Sequence, residues 1–350
     1  MIGDGFMDLS WFEILLFPGF TFIFILTLFQ ELIGSRLTNR FYFGDIKSPM
    51  FIPIVEQFKL VTKGEKEKIT FRGVIRGLIL VVMIVLPLFG ALILPISNYG
   101  ELPGPVFGGI LPKYTGVVGI ISFDGDILLL FGIILIFNVL VFLVQILRKN
   151  KSIKESLSST LRFLILDIPI FIALCSPVLA RGSLSLGILV EDIRWIVNNN
   201  LAFGLLLLLP ISTFTAIFAL ALKFDQPYFD RLNPDIEIGT EPPVNKNWEL
   251  VLWNLAIRLM EFLIIGLIVS IFLGGPHIPI PTLENNYFIG YSLNFIFKCF
   301  LIVIITTIIK TIRPRLRLNQ SVNYSLKILT PIGLGSLLVI GIFIGIQGLN

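Results

Sequence analysis

Residues 250–273 read LVLWNLAIRLMEFLIIGLIVSIFL. At a rise of about 1.5 Å per residue, a helix of this run extends roughly 36 Å, enough to cross a hydrocarbon core about 30 Å thick. Two ionisable side chains interrupt it, Arg258 and Glu261, three positions apart and therefore on one helical face. A charge at the centre of a span costs at least about 2.5–3.5 kcal/mol on insertion scales, so each such residue is a candidate for function by default. For Glu261 two readings compete, a structural ion pair with Arg258 and a station on an ion path.

The rest of the chain repeats this character. Of 350 residues 55% are hydrophobic and only 14% charged, against roughly 25% charged in soluble domains, and the mean hydropathy is +0.91. Apolar runs fall at about 11–30, 74–96, 125–147, 161–180, 201–222, 250–273, 290–310 and 327–347. They are too long and too uniformly apolar for the alternating strands of a membrane barrel, so the expected fold is an all-α integral membrane protein of about eight transmembrane helices in one polytopic domain.

Loop charge orients it. The first loop carries Arg36, Arg40, Lys47, Lys59, Lys63, Lys66, Lys68 and Arg72, and the third Arg148, Lys149, Lys151 and Lys154. The fifth carries Lys223, Arg231 and Lys246, and the seventh Lys310, Arg313, Arg315 and Arg317, whereas the even loops hold only Lys113, Arg181 and Arg194. By the positive-inside rule the odd loops face the cytoplasm and both termini lie outside. Asp4 and Asp8 stand where a cleaved leader would be basic, so none is expected. Trp11, Trp195, Trp248, Tyr287 and Tyr291 sit near span ends as interfacial anchors. Between 50 and 63 apolar residues recur at helical spacing among Glu56, Lys59 and Lys63, which predicts an amphipathic helix on the cytoplasmic surface.

Cys175 and Cys299 fall in different apolar runs, and His277 stands in a loop without a nearby Cys or carboxylate cluster. That inventory gives no spacing for a metal, iron–sulfur or haem site. Chemistry rests instead on charges within the spans. Asp167 and Arg162 occupy the fourth, followed by Pro169, which loosens backbone hydrogen bonding; snorkelling to the helix end also accounts for Arg162. Lys298 sits near the centre of the seventh and calls for a carboxylate, Asp167 or Glu261. Glu31 and Lys223, at span ends, read as solvated. The fifth loop gathers Asp225, Asp230, Asp235, Glu237, Glu241 and Glu249 among four prolines. It is either a solvated acidic surface or a docking surface and proton-entry funnel.

The strongest motif is Lys310–Pro331, KTIRPRLRLNQSVNYSLKILTP. It resembles RATLPRxRxDQxxxxxWKxLxPL, the cytoplasmic motif of the complex I membrane subunit that lines the floor of the quinone chamber, a family shared with membrane-bound energy-converting hydrogenases. Pro314, Arg315, Arg317, Gln320, Lys327, Leu329 and Pro331 are in register. Residues 35–40, SRLTNR, are similar to GRIQNR, and 53–63, PIVEQFKLVTK, to PLADGLKLLTK. Residues 161–169 resemble LRxxxQxxSYEIP with Asp167 in place of Glu, while 260–262 and 272–275 resemble the sixth-span EY and FLGG elements. Against the family's ETNRxPFDLxExExEL, this chain has KFDQPYFD at 223–230, with Lys223 for the leading Glu and Gln226 for Arg. The EYSG element is reduced to Glu249 or Glu241, and the GPN run after Arg40 is missing.

The resemblance implies a proximal subunit of a respiratory oxidoreductase in a prokaryotic cell membrane, with no catalytic centre or cofactor of its own and no nucleic-acid partner. Quinone is the cofactor the family would bring, and the departures fall on the pieces associated with it. Peripheral iron–sulfur and large redox subunits would dock at Arg36, Arg40, Arg313, Arg315, Arg317 and Lys327, with antiporter-like and small membrane subunits alongside. Glu261, Arg258, Asp167, Arg162 and Lys298 would form an intramembrane path for H+ or Na+. The alternatives are a hydrogenase or sulfur-reductase subunit of the same family without quinone, a structural anchor, and an unrelated secondary transporter, whose internal repeat is not evident.

Overall fold

The computed structural model describes residues 19–43, 55, 59, 62, 71–96, 98–101, 115–147, 153–191, 203–224, 247–277, 287–313, 316 and 318–347. The helices are α1 (Phe20–Phe43), α2 (Phe71–Ala91), α3 (Asp126–Ile146), α4 (Ile153–Arg181), α5 (Phe203–Phe224), α6 (Asn247–Phe272), α7 (Tyr287–Ile312), α8 (Leu318–Tyr324) and α9 (Thr330–Gln347). A π-helical turn, Ser325–Leu329, joins α8 to α9, so each of the eight apolar runs carries helix. Among the described residues six helices are long and apolar enough to cross a membrane, and Phe20–Gly34 and Pro210–Phe224 are shorter apolar ones. The fold is an all-α, multi-pass membrane bundle with one short two-stranded ribbon, its helices satisfying their backbone polar groups within their own segments. Of the expected amphipathic helix only Val55, Lys59 and Thr62 are described, all helical and exposed.

The sixth span is the hub. The central window of α6 is 89% buried, against 28–50% for the other long spans, and it packs against α1, α2, α4, α5 and α7. Beside it α4, α5 and α9 form one packed group, α2 and α3 a second, α1 and α7 a third. Close approach of the helices depends on small residues, because lipid gives no hydrophobic drive between them. Gly266 of α6 lies under Leu94 and Phe295, and Gly77 of α2 faces the Trp248 ring. The outward faces are apolar: Leu78, Val82 and Val85 on α2, Leu135, Ile136 and Val139 on α3, Leu338 and Ile342 on α9 are all exposed in the isolated chain.

Two local features depart from a purely helical reading. The second run leaves the helix at Ala91, and Leu92, Ile93, Leu94 and Ile96 continue as buried turns, with Pro95 among them. Asn98–Glu101 and Thr115–Val118 then pair as an antiparallel ribbon, Asn98 opposite Val118 and Glu101 opposite Thr115. Segments this short have no periodicity to read. The ribbon is anchored by tertiary contact instead: Gly119 lies on the Ile93 carbonyl, and the Ile121 amide donates to Leu92 at 3.2 Å.

Candidate functional site

Three buried charge clusters each include a cation near a helix end that leads into a basic loop: Lys223, Lys310 and Arg76. In the first, Asp167 of α4 is 0% exposed. Lys223 Nζ at the end of α5 donates to its Oδ1 at 2.6 Å and Asn138 Nδ2 of α3 to its Oδ2 at 2.6 Å, so one carboxylate ties three helices. Pro169, inside α4 two residues on, has no N–H, and leaves a carbonyl of the preceding turn without its helical partner. The second cluster is Glu261 at the middle of α6. Arg258 Nη1 donates to Oε2 at 2.7 Å, and Lys310 Nζ of α7 to Oε1 at 3.0 Å. The acid is the more enclosed member, its side chain 5% exposed against 22% and 19% for the two cations.

The third cluster joins α2 to α6. Arg76 Nη2 donates to Glu249 Oε1 at 3.0 Å. Nε lies 2.9 Å from Oε2, near enough for ion pairing, though its N–H is not aligned as a hydrogen bond. In low dielectric, removing one member of such a pair leaves an uncompensated charge, at a cost of about 3–5 kcal/mol. Neutralising one member of a cluster would leave its partner's charge uncompensated.

These pairings correct several sequence expectations. Lys223 is enclosed, not solvated, because α5 turns it inward onto Asp167. Glu31 is also buried, at 5% exposure. Glu249 belongs to no open acidic surface: it lies in the first turn of α6, 0% exposed and held by Arg76. Lys298 meets neither Asp167 nor Glu261. Its ammonium donates to the carbonyls of Leu273, Gly275 and His277 at 2.7, 2.8 and 2.8 Å, since α7 places it beside the end of α6, about 18 Å along the helix from Glu261. Between them α6 presents almost only apolar side chains. Phe262–Ile271 is buried throughout, and its one hydroxyl, Ser270, donates to Gly266 O in the helix. Arg162 is half-buried and joins none of the three clusters.

His277 has a carboxylate neighbour, Glu191, 2.8 Å from Nε2, contributed by a segment far away in sequence. Asp225, Asp230, Asp235, Glu237, Glu241, Arg315 and Arg317 lie outside the described residues. Of the other basic candidates, Arg36, Arg40 and Lys327 are exposed and Arg313 is half-buried. The participants that sequence reading missed are Arg76, Asn138, Lys223, Lys310 and Glu191. Arg76 and Asn138 carried a signal, a charge and an amide inside apolar runs; Lys223 and Lys310 look like ordinary loop-end cations. Among the described residues no three His, Cys, Asp or Glu side chains converge as a metal site. The crevice between α1, α6 and α7, lined by Leu26, Gln30, Phe262, Cys299 and Val303, admits a guest of about water size.

A family model described as NADH dehydrogenase matches residues 11–341. No curated protein sequence matches. Among solved structures, a chain of the membrane-bound sulfane sulfur reductase, an archaeal respiratory membrane complex, is similar with a TM-score of 0.68 at 17% identity, covering 92% of this chain and 98% of that one. At such identity the likeness speaks for the fold, and the family model, which takes in nearly the whole sequence, speaks for descent: this chain belongs to the NADH dehydrogenase family, in its membrane-subunit branch.

Proposed function

We propose that the chain is the proximal membrane subunit of a complex-I-like respiratory assembly, joining a peripheral electron-transfer arm to H+ or Na+ translocation. The observation that carries this reading is the set of buried clusters Asp167–Lys223–Asn138, Glu261–Arg258–Lys310 and Arg76–Glu249. A structural membrane bundle needs no such charges, and well-packed apolar residues would hold it as firmly. The clusters' cations Lys223, Lys310 and Arg76, near helix ends that lead into the basic loops, suit a subunit that receives a charge signal from the arm. A redox event at the docking face shifts charge near Lys223 or Lys310, the cluster answers by taking up or releasing a proton or cation, and neighbouring membrane subunits complete the transfer.

In this reading iron–sulfur and large redox subunits dock on the basic face through Arg36, Arg40, Arg313, Arg315, Arg317 and Lys327. Asp225, Asp230, Asp235, Glu237 and Glu241 provide the acidic entry, antiporter-like and small subunits flank the bundle, and the assembly sits in a prokaryotic cell membrane. No redox centre is assigned to the chain. A second reading, a sulfur-reducing assembly without quinone, is favoured by Lys223: a lysine stands where the resembling family has a glutamate, and it is committed to Asp167. The similar sulfane sulfur reductase chain is in keeping with that.

Isolation in mild detergent followed by reconstitution tests both levels of the reading. The expected result is co-purification with iron–sulfur and antiporter-like subunits, and an ion gradient in proteoliposomes during turnover. A stable lone oligomer argues for a transporter, and turnover without a gradient for a structural anchor. Supplying quinone or a sulfane sulfur compound as acceptor separates the two forms of the proposal.

A further inference from the structure

The loop that leaves α6 is built around a cation. Lys298 Nζ sits 2.7 Å from the carbonyl oxygen of Leu273 and 2.8 Å from those of Gly275 and His277. The three oxygens come from alternate residues. They converge because the chain turns through two left-handed glycines, Gly274 at φ 68° and Gly275 at φ 54°, a conformation costly for any side chain. The end of a helix adds unpaired carbonyls and partial negative charge. Asn294, one helical turn earlier on α7, fixes the same loop from a second point, its Nδ2 donating to Pro276 O at 2.7 Å and His277 O at 2.6 Å. The His277 ring is held in turn by Glu191 and by an edge-on contact with Tyr291.

Neutral main-chain oxygens arranged around one point are the means by which proteins replace the hydration shell of a weakly hydrated monovalent ion. Divalent ions demand carboxylates and shorter distances, and spacings near 2.7–2.8 Å suit ammonium or potassium better than the smaller sodium ion. We propose that residues 273–277 form a monovalent-cation site whose built-in occupant is the ammonium of Lys298, and that the site takes free ammonium or potassium when that side chain is removed. Lys298 is then a positioning residue: its charge holds the exit of α6 in register on α7. The inference is independent of the coupling proposed above, since the site lies at the far end of α6 and its readout is stability.

The test uses the full chain in its native membranes, as Lys298→Met and Lys298→Gln, with thermal unfolding followed in ammonium, potassium, sodium or tetramethylammonium chloride at constant ionic strength. Loss of three charge-assisted bonds lowers Tm by roughly 5 °C or more in both variants. Ammonium and potassium return at least half of that loss in Lys298→Met, sodium less and tetramethylammonium none, while the unsubstituted protein does not respond. Asn294→Leu, which loosens the loop but leaves the ammonium in place, melts low and does not respond either. The proposal is overturned by a Lys298→Met that melts like the unsubstituted protein, or by equal effects of ammonium and tetramethylammonium. Sodium surpassing potassium, or Asn294→Leu responding as strongly as Lys298→Met, overturns it too.

Discussion

Asp167 and Lys223 set the energetics at the residue scale. Both are enclosed and 2.6 Å apart, so their attraction has to offset two desolvation costs, and the pair is worth little relative to an apolar pair of the same volume. Breaking it from one side is different. Lys223→Met leaves Asp167 facing only the Asn138 amide and should destabilise the folded chain by about 3–5 kcal/mol, read as a lower midpoint in thermal or denaturant unfolding. The double variant Asp167→Leu with Lys223→Met should recover most of that loss, because no charge remains unpaired. If the double variant is as unstable as the sum of the singles, the pair does not act as a unit. The partners of these charges were not legible in the sequence. Lys223 and Lys310 are close to loop ends where a solvated lysine is the ordinary outcome, and only the rotation of α5 and α7 against their neighbours turns them inward.

At the scale of the element, hydropathy had more to say. Apolar runs located the helices because the bilayer imposes their length, and the charge at Glu261 marked the hub. What hydropathy misses is where a run stops being helix. Residues 92–96 are as apolar as a span but form buried turns that receive Gly119. A methyl group on Gly119 would overlap the Ile93 carbonyl oxygen, whereas one on Gly132, inside α3, meets nothing within 4 Å. Gly119→Ala should therefore lower stability by at least about 1 kcal/mol through backbone displacement, and Gly132→Ala should be neutral or raise it by up to about 1 kcal/mol through helix propensity. Parallel melting curves of the two variants check this, and equal midpoints would remove the proposed packing of the ribbon on the α2 exit.

For the whole molecule, the distribution of charge is the informative property. Loops rich in lysine and arginine alternate with loops poor in them, and that pattern, with the Lys310–Pro331 motif, was enough to indicate the family that the chain proves to belong to. The motif pattern did not indicate that the candidate path divides: Asp167 and Glu261 each meet a lysine near a helix end that leads into a basic loop, whereas Lys298 caps the opposite end of α6. That division follows from α6 being enclosed by five other helices, a fact of packing that no single run encodes. Glu261 is central, since it lies at the middle of the hub helix and is held between Arg258 and Lys310. The decisive measurement is the number of ions moved per electron pair by proteoliposomes carrying the whole complex with Glu261→Gln. Complexes with Glu261→Gln that assemble and transfer electrons should lose ion movement; unchanged pumping with normal assembly would contradict the role of Glu261.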